Sequence, residues 1–183
     1  MLLFFLSAYD DRREMIKGSE SLSFQVFILD KAYRQIQNEV NRHPGEETGG
    51  IMIGFRTPES LIVTTATGPG PAAVHHPNSI RFDEKFCEKK ARQLQNRGKN
   101  LRYIGDWHSH PFTRLKPSKV DKRSFGLKAA THYRTPFPLM IIAGPGPLIP
   151  LQGFILTNKI TNVQPTLIDQ STLQQLKAQA ISY

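Results

Sequence analysis

Two histidines one residue apart, His108 and His110, are the residues of this chain best suited to bind a metal ion. Residues two apart on an extended segment point to the same side, so both imidazoles can face one ion. A hydrolytic zinc site needs three protein ligands and one position left for water. Asp121, eleven residues after His110, would supply the third ligand if the chain turns over 111–117 and then starts a helix.

The same residues also have simpler interpretations. His-Ser-His segments are common on protein surfaces and in cores, where they bind nothing. The segment 118–121 has the pattern of a capping box, in which Ser118 caps a helix and Asp121 returns the hydrogen bond. That device needs no metal, although a rigid helix start could carry both functions. For Asp106 we expect an exposed acid at the strand edge, with a histidine N–H as the alternative partner.

Length and composition are those of one globular domain with a substantial core. The chain has 183 residues, of which 39% are hydrophobic and 21% charged. A single cysteine, Cys87, excludes an internal disulfide and a cysteine-rich zinc knuckle, and we expect it in the core. No run approaches the ~20 apolar residues of a membrane helix, and the short apolar start lacks a signal peptide's basic head. We therefore expect a cytoplasmic protein with an N-terminal extension over 1–22, partly disordered or packed, and a domain over 23–183.

The net charge of +9 is concentrated in one segment. Residues 84–134 hold fourteen Lys and Arg and four Asp and Glu, a net charge of +10, so the rest of the chain is close to neutral. A basic face attracts acidic partners, either nucleic acid or an acidic protein surface. A solvated helix face explains the same pattern without any partner.

Hydrophobic periodicity predicts strands and helices in mixed order. Strands are predicted at 24–29, 51–55, 61–67, 80–82, 101–107, 139–143 and 151–156. Helices are predicted after a cap at Asp30, from Asp83 to Gly98, from Ser118 to about Ala130 and from Asp169 to Ala180. Hairpins rather than strict βαβ alternation place the chain in the α/β class (α+β type). The expected architecture is one three-layer domain, with a mixed, mostly antiparallel sheet flanked by helices.

A wider pattern joins these pieces. The letters HSHP at 108–111, six further residues, and then S-x-x-D at 118–121 resemble the signature of the JAB/JAMM (MPN+) metalloproteases in full. The segment ETGGI at 47–51 resembles the part of those proteins that carries the catalytic glutamate. The resemblance extends over about residues 24–157 and is strongest to the compact prokaryotic JAB proteases. It implies a cytidine-deaminase-like MPN/JAB domain.

Roles follow from this resemblance position by position. Zn²⁺ would be held by His108, His110 and Asp121. Glu47 would take a proton from the attacking water and later give it to the leaving amine, and Ser118 would steady the oxyanion. The Thr-Gly-Gly that follows Glu47 favours it as the base.

Glu46 competes with Glu47 for the base, but neighbouring residues of a strand face opposite ways, so only one should reach the zinc. A second histidine pair, His75 and His76, lies in a proline-rich stretch without a carboxylate at a convincing spacing. We expect these two as loop residues that line the substrate groove. His132 has no assigned role.

The resemblance implies a zinc-dependent isopeptidase or peptidase that cleaves after the C-terminal tail of a ubiquitin-like modifier or a modifier-like conjugate. Similar short proteases belong to bacterial antiphage conjugation operons such as CBASS, where activating- and conjugating-enzyme-like proteins are separate partners and a cGAS-like nucleotidyltransferase is one target. The alternatives are trimming of a small sulfur-carrier protein, an inactive MPN scaffold, and a nucleic-acid-binding module. Scaffolds usually lack a ligand that is present here, and the nucleic-acid interpretation rests on charge alone.

Overall fold

A computed structural model describes residues 24–112, 114–131, 137–157 and 159–180, so the predicted extension 1–22 and His132 lie outside the described residues. A central sheet has the strand order β10-β1-β3-β2-β6-β7-β8-β9, and β4 and β5 form a separate hairpin. The strands are β1 Gln25–Leu29, β2 Gly49–Arg56, β3 Ser60–Ala66, β4 Val74–His76, β5 Ser79–Arg81, β6 Arg102–Ser109, β7 Leu139–Ala143, β8 Leu151–Leu156, β9 Ile160–Val163 and β10 Thr166–Ile168. The pairs β1–β10, β1–β3 and β6–β7 are parallel and the others antiparallel, which confirms the mixed sheet.

In the described part of the chain, four helices cover the two faces of this sheet, and the expected three layers are confirmed. The helices are α1 Asp30–Arg42, α2 Glu84–Gln95, α3 Lys119–Thr131 and α4 Gln170–Lys177. Helix α1 buries Ala32 and Ile36 in the cluster that also contains Ile141 of β7. The other three helices pack on the opposite face, where α3 places Phe125 against Met140. None of the helices in the described ranges has both the length and the apolar character needed to cross a membrane.

Several local predictions differ from the structure. Asp30 does not cap α1, because Leu29 holds the cap position without a side-chain bond, while Asp30 lies in the first turn and pairs with Arg34 at 3.2 Å. An acid there still interacts favourably with the positive end of the helix dipole. His75 and His76 were expected in a loop, but they belong to β4. The short strands β4, β9 and β10 were not predicted, since runs of three or four residues carry little periodicity.

Strands β6 and β7 approach each other closely at Gly105, three residues before His108. Gly105 pairs with Leu139 at a φ of 154°, and a Cβ atom there would lie 1.7 Å from the Leu139 carbonyl oxygen. The register between β2 and β6 shifts beside this position, between Met52 and Ile53. The pairing that leads to His108 therefore begins at an irregularity that needs a glycine in β6.

We expect Gly105→Ala to lower the free energy of unfolding by about 3 kcal/mol, because it combines backbone strain with overpacking. Chemical denaturation of the wild type and of each variant measures the free energy of unfolding. The matched control is Gly126→Ala in α3, where a Cβ meets nothing within 4 Å, and a helix-interior alanine should stabilise by about 0.5–1 kcal/mol. If Gly105→Ala unfolded at the wild-type denaturant concentration, the close contact with β7 would be wrong.

Candidate metal centre

Three side chains converge at one end of β6. His108 is on this strand, His110 follows its last residue, and Asp121 is in the first turn of α3. Nε2 of His108 lies 3.1 Å from Nε2 of His110, and these atoms lie 3.5 and 3.6 Å from the two carboxylate oxygens of Asp121. His108 is buried, whereas His110 and Asp121 are partly buried. A search of the described residues for three or more His, Cys, Asp or Glu side chains close enough to hold a metal ion finds these three.

The spacing of these donor atoms fits a tetrahedral ion. Two ligands each bonded at ~2.0 Å to one tetrahedral zinc stand about 3.3 Å apart. The two imidazole nitrogens stand 3.1 Å apart, and each lies 3.5 or 3.6 Å from a different oxygen of Asp121. With one donor atom taken from each residue, the three atoms lie within 4.8 Å of one another, so small side-chain movements would close the group around an ion. Two imidazole nitrogens and one carboxylate are also the ligand types of hydrolytic zinc sites, which leave a fourth position for water. The residues present therefore fit a zinc ion.

The register of β2 and β6 determines which residues face this point. Gly49 pairs with His108, and Thr48 and Ser109 join the two strand ends by a pair of hydrogen bonds. The Ser109 N–H donates to the Thr48 carbonyl at 2.7 Å, and the Thr48 N–H donates to the Ser109 hydroxyl at 2.9 Å. At the next position a Cβ on Gly50 would lie 1.9 Å from the Thr67 carbonyl oxygen, so the close approach of the two backbones there requires glycine.

His110 is held by its backbone and by its ring. Its N–H donates to the Ala143 carbonyl at the end of β7, at 2.8 Å. Its Nδ1 lies 2.8 Å from the Arg114 carbonyl oxygen, which can only accept, so Nδ1 carries the proton. The remaining nitrogen, Nε2, then presents its lone pair to the centre. A backbone carbonyl on the other ring nitrogen is the usual way in which a metal-binding histidine is oriented.

The capping box predicted at the start of α3 is confirmed. The Asp121 N–H donates to the Ser118 hydroxyl at 3.1 Å, and the Ser118 N–H donates to the Asp121 carboxylate at 2.6 Å. The oxygen that accepts this second bond is also the one nearest His110. Asp121 therefore caps the helix and faces the two imidazoles at once.

A second attachment holds α3 two turns further along. Lys128 pairs with the carboxylate of Asp106 on β6, and its ammonium lies 5.0 Å from the ring centroid of Phe82. Asp106 also accepts a bond from the Tyr103 hydroxyl at 2.9 Å. Our expectation for Asp106 was wrong, because it is partly buried and binds a lysine and a tyrosine. The sequence around Asp106 could not indicate this lysine partner, since Asp106 and Lys128 are 22 residues apart.

The two neighbouring glutamates have different surroundings. Glu47 is buried, and its Oε1 lies 3.9 Å from Nε2 of His110, beside the three donor atoms. Glu46 is exposed. The carboxylate that the structure brings to the centre is that of Glu47.

Burial and charge move the pKa values of the site in different directions. Burial raises the pKa of Glu47 above its ordinary value of 4.5, against the opposing effect of His108 and His110. Burial alone would also raise the pKa of Asp121, but its contacts with the two imidazoles outweigh this and hold the pKa well below its usual range. The neighbouring Asp121 raises the pKa of His110 above 6.5, although burial opposes this.

Sequence reasoning missed several residues that hold the site. Thr48 and Ser109 lie between or beside the predicted site residues, and their position next to Glu47 and His108 was the available signal. Glu39, on α1, accepts a bond from the Thr48 hydroxyl at 3.2 Å. His43 and His75 stack on each other beside Glu47, with ring centroids 3.8 Å apart. Glu39 and His43 have the i,i+4 spacing of a helical pair, but no spacing rule connects either of them to Thr48 or His75.

Comparison with protein families gives a match over most of the chain. The model described as prokaryotic homologs of the JAB domain matches residues 29–150, which are 122 of the 183 residues. All five predicted site residues lie within this span.

Curated relatives are similar over much of their length. The "CD-NTase/cGAS isopeptidase" of Enterobacter hormaechei subsp. hoffmannii is 29% identical over 140 residues, 74% of this chain and 76% of that protein. The "Probable metalloprotease y4qB" of Sinorhizobium fredii is 26% identical over 126 residues, 67% of this chain and 77% of that protein. A "CD-NTase/cGAS isopeptidase" of Vibrio cholerae is 32% identical over 98 residues, 51% of this chain and 58% of that protein.

A solved structure supports the fold. The solution structure of protein DSY2949 from Desulfitobacterium hafniense has a TM-score of 0.64 and 17% identity. The match covers 80% of this chain and 94% of the DSY2949 chain. At this identity the likeness concerns the fold alone.

The raised pKa of His110 gives a test on the metal-free protein. In an NMR titration we expect the ring to titrate above pH 6.5. Asp121→Asn should lower this pKa toward 6.5, whereas Glu46→Gln, which removes an exposed carboxylate, should leave it unchanged. Because the folded-state pKa is raised, the His110–Asp121 contact stabilises the fold fully below pH 6.5 and loses its effect as pH rises through the folded-state pKa. Equal titration of wild type and Asp121→Asn would contradict the contact.

Proposed function

This chain belongs to the family of prokaryotic homologues of the JAB domain, and on that premise we propose that it is a zinc-dependent isopeptidase. One observation carries the proposal. The imidazoles of His108 and His110 and the carboxylate of Asp121 converge within 4.8 Å, and the buried carboxylate of Glu47 lies beside them. Three ligands and an adjacent acid–base group are what hydrolysis at an open zinc site requires.

His108, His110 and Asp121 would hold the zinc ion. When bound, zinc lowers the pKa of water at its open position and polarises the scissile carbonyl. The residues around it fix the ligands beforehand, since the Arg114 carbonyl orients the His110 ring and Ser118 orients Asp121. Such outer contacts keep the ligand geometry constant during the reaction.

Glu47 is proposed as the group that moves the proton. It would accept a proton from the attacking water and pass it to the nitrogen of the departing amine. A pKa raised by burial suits this role, because a carboxylate of ordinary pKa is too weak a base near neutral pH. The same partly desolvated position keeps bulk water away from the carboxylate.

Ser118 is proposed as the donor to the oxyanion of the tetrahedral intermediate. Its oxygen already accepts a hydrogen bond from the Asp121 N–H, which fixes where that oxygen lies. A serine hydroxyl has one proton of its own to donate. A fixed donor aimed at developing negative charge contributes more than one that must reorient during the reaction.

The substrate class comes from the relatives and from the resemblance of the motifs. Two relatives carry the name CD-NTase/cGAS isopeptidase, and a third is named a metalloprotease. We propose that this protein cleaves an amide or isopeptide bond after the C-terminal tail of a ubiquitin-like modifier or a modifier-like conjugate. It would act in the cytoplasm within a bacterial antiphage conjugation system, alongside activating- and conjugating-enzyme-like proteins.

We expect one zinc ion per chain in protein purified without chelators, measured by elemental analysis. His108→Ala and Asp121→Ala should each lose most of the metal, because each removes one of three ligands. The control is His76→Ala, which removes an exposed imidazole and should leave the metal content unchanged. A folded, untreated protein without metal would refute the zinc site.

We expect Glu47→Gln to lower the rate of cleavage by at least about 10²–10⁴-fold, the usual contribution of general acid–base catalysis, while zinc stays bound. Glu46→Gln is the matched control and should cleave at nearly the wild-type rate. Loss of activity in Glu46→Gln with normal activity in Glu47→Gln would reverse the assignment.

Two reporter fusions serve as substrates, one joining a bacterial ubiquitin-like modifier to a fluorescent protein and one joining a CD-NTase tail to the same protein. Zinc-loaded enzyme that cleaves neither fusion, nor the corresponding isopeptide conjugates, would contradict the proposed substrate class.

A further inference from the structure

We propose that His75, supported by its stack on His43, is a positioning residue that fixes the peptide of Glu47; this inference rests on the proposed role of Glu47. His75 lies in the β4–β5 hairpin, which is not part of the central sheet. The sequence suggested a loop residue lining the substrate groove. Its contacts point instead to the backbone of the catalytic glutamate.

Two hydrogen bonds join β4 to the two sides of Glu47. The Glu47 N–H donates to the His76 carbonyl at 2.8 Å. Nδ1 of His75 lies 3.0 Å from the Glu47 carbonyl oxygen, and because that oxygen can only accept, Nδ1 is the donor. The first of these bonds needs only backbone and would survive most substitutions. The second depends on the identity of the side chain at position 75.

The ring of His75 is held in place by a second ring. His43 stacks on it with centroids 3.8 Å apart and planes 7° apart. His43 is the C-cap residue of α1, and its carbonyl accepts a bond from the Glu46 N–H at 3.3 Å. The stack therefore connects the hairpin to the end of α1 and to the turn that leads into Glu47.

Glu39 extends this arrangement to the other neighbour of Glu47. Its Oε1 lies 3.3 Å from Nε2 of His43 and accepts a hydrogen bond from the Thr48 hydroxyl at 3.2 Å. Residues 46, 47 and 48 are thus each bonded to α1 or to β4. A carboxylate that moves a proton must be held within about 0.5 Å of its productive position, and these contacts restrict the backbone from which it extends.

The test uses variants that distinguish the effect of the His75 hydrogen bond from the effect of its stacked ring. His75→Phe keeps a ring that can stack on His43 but has no donor. His75→Asn loses the ring, yet its amide nitrogen occupies nearly the place of Nδ1 and can donate to the Glu47 carbonyl. Asn78→Ser, at the exposed turn of the same hairpin, is the control.

For each variant we measure zinc content, thermal stability, kcat and KM on the reporter fusions, and amide hydrogen exchange at Glu47 and Thr48. We expect His75→Phe to lower kcat by about tenfold, as for one lost hydrogen bond, with KM and zinc content close to wild type. Exchange at the Thr48 amide, which shares a peptide with the Glu47 carbonyl, should become about tenfold faster. His75→Asn should recover most of kcat and of the amide protection, and Asn78→Ser should match wild type.

Four results would overturn the proposal. The first is a His75→Phe variant with the kcat and amide exchange of the wild type, and the second is an equal loss of kcat in His75→Phe and His75→Asn. The third is a change in His75→Phe that is confined to KM, and the fourth is a loss of zinc from His75→Phe together with the loss of kcat. A change in KM alone would assign His75 to substrate contact instead. If His75→Phe does not fold, His75→Asn and His75→Ala replace the comparison, since both lack the ring and only one has the donor.

Amide exchange also separates the two proposals. If the wild-type enzyme cleaves no fusion, the proposed function fails, but faster exchange at the Thr48 amide in His75→Phe with recovery in His75→Asn still supports the positioning role. Normal exchange in both variants would refute it whether or not the enzyme cleaves.

Discussion

The site depends on one strand register, in which Gly49 of β2 lies opposite His108 of β6. Side chains alternate along a strand, so a slip of one residue would turn His108 to the opposite face and place the next residue at the centre. Trp107 opposes such a slip, because it is fully buried on the other face and donates its indole N–H to the Thr67 carbonyl at 2.9 Å. Core packing on one face therefore fixes the histidines on the other.

Helix α3, which carries Asp121, is held mainly by polar contacts. Phe125 is its buried apolar anchor, whereas Val120 and Leu127 are 71% and 60% exposed. The capping box at Ser118 and the pair of Lys128 with Asp106 fix the beginning and the middle of the helix. Because Phe125 is the buried apolar side chain among those described in this helix, the position of the helix depends strongly on the polar contacts that join Asp121 to its neighbours. A metal bound there would stabilise the helix as well as take part in the reaction, because its binding energy is available to the fold.

Local patterns explain most of what could be predicted. The two candidate ligand histidines two residues apart and the capping box are local, and the longer strands and helices carry clear periodicity. The fold class, the three layers and the capping box were therefore predictable from the sequence. The convergence of Glu47 with the histidines was anticipated only from a resemblance of motifs, since 61 residues separate Glu47 from His108 and no periodicity relates them.

The sequence did not predict contacts between residues far apart in the chain, or short strands that form only because another strand pairs with them. The stack of His43 on His75 and the pair of Asp106 with Lys128 each join residues more than twenty apart in the chain. Strand β10 has three residues and exists because β1 pairs with it. Asp30 has the side chain of a cap, but the backbone at Leu29 takes that position at the junction of β1 and α1.

Two carboxylates in one site have opposite pKa shifts, and this difference supports the different roles proposed for them. Asp121 touches both imidazoles and accepts the Ser118 N–H, so its pKa falls and it stays ionised, as the proposed role of metal ligand requires. Glu47 is buried with one imidazole nitrogen 3.9 Å away, so desolvation prevails and its pKa rises. A group that must both take up and release a proton needs a pKa nearer the working pH than a ligand does. Exchanging the proposed roles would require Asp121 to leave its cap at Ser118 and Glu47 to gain hydrogen-bond donors to its carboxylate.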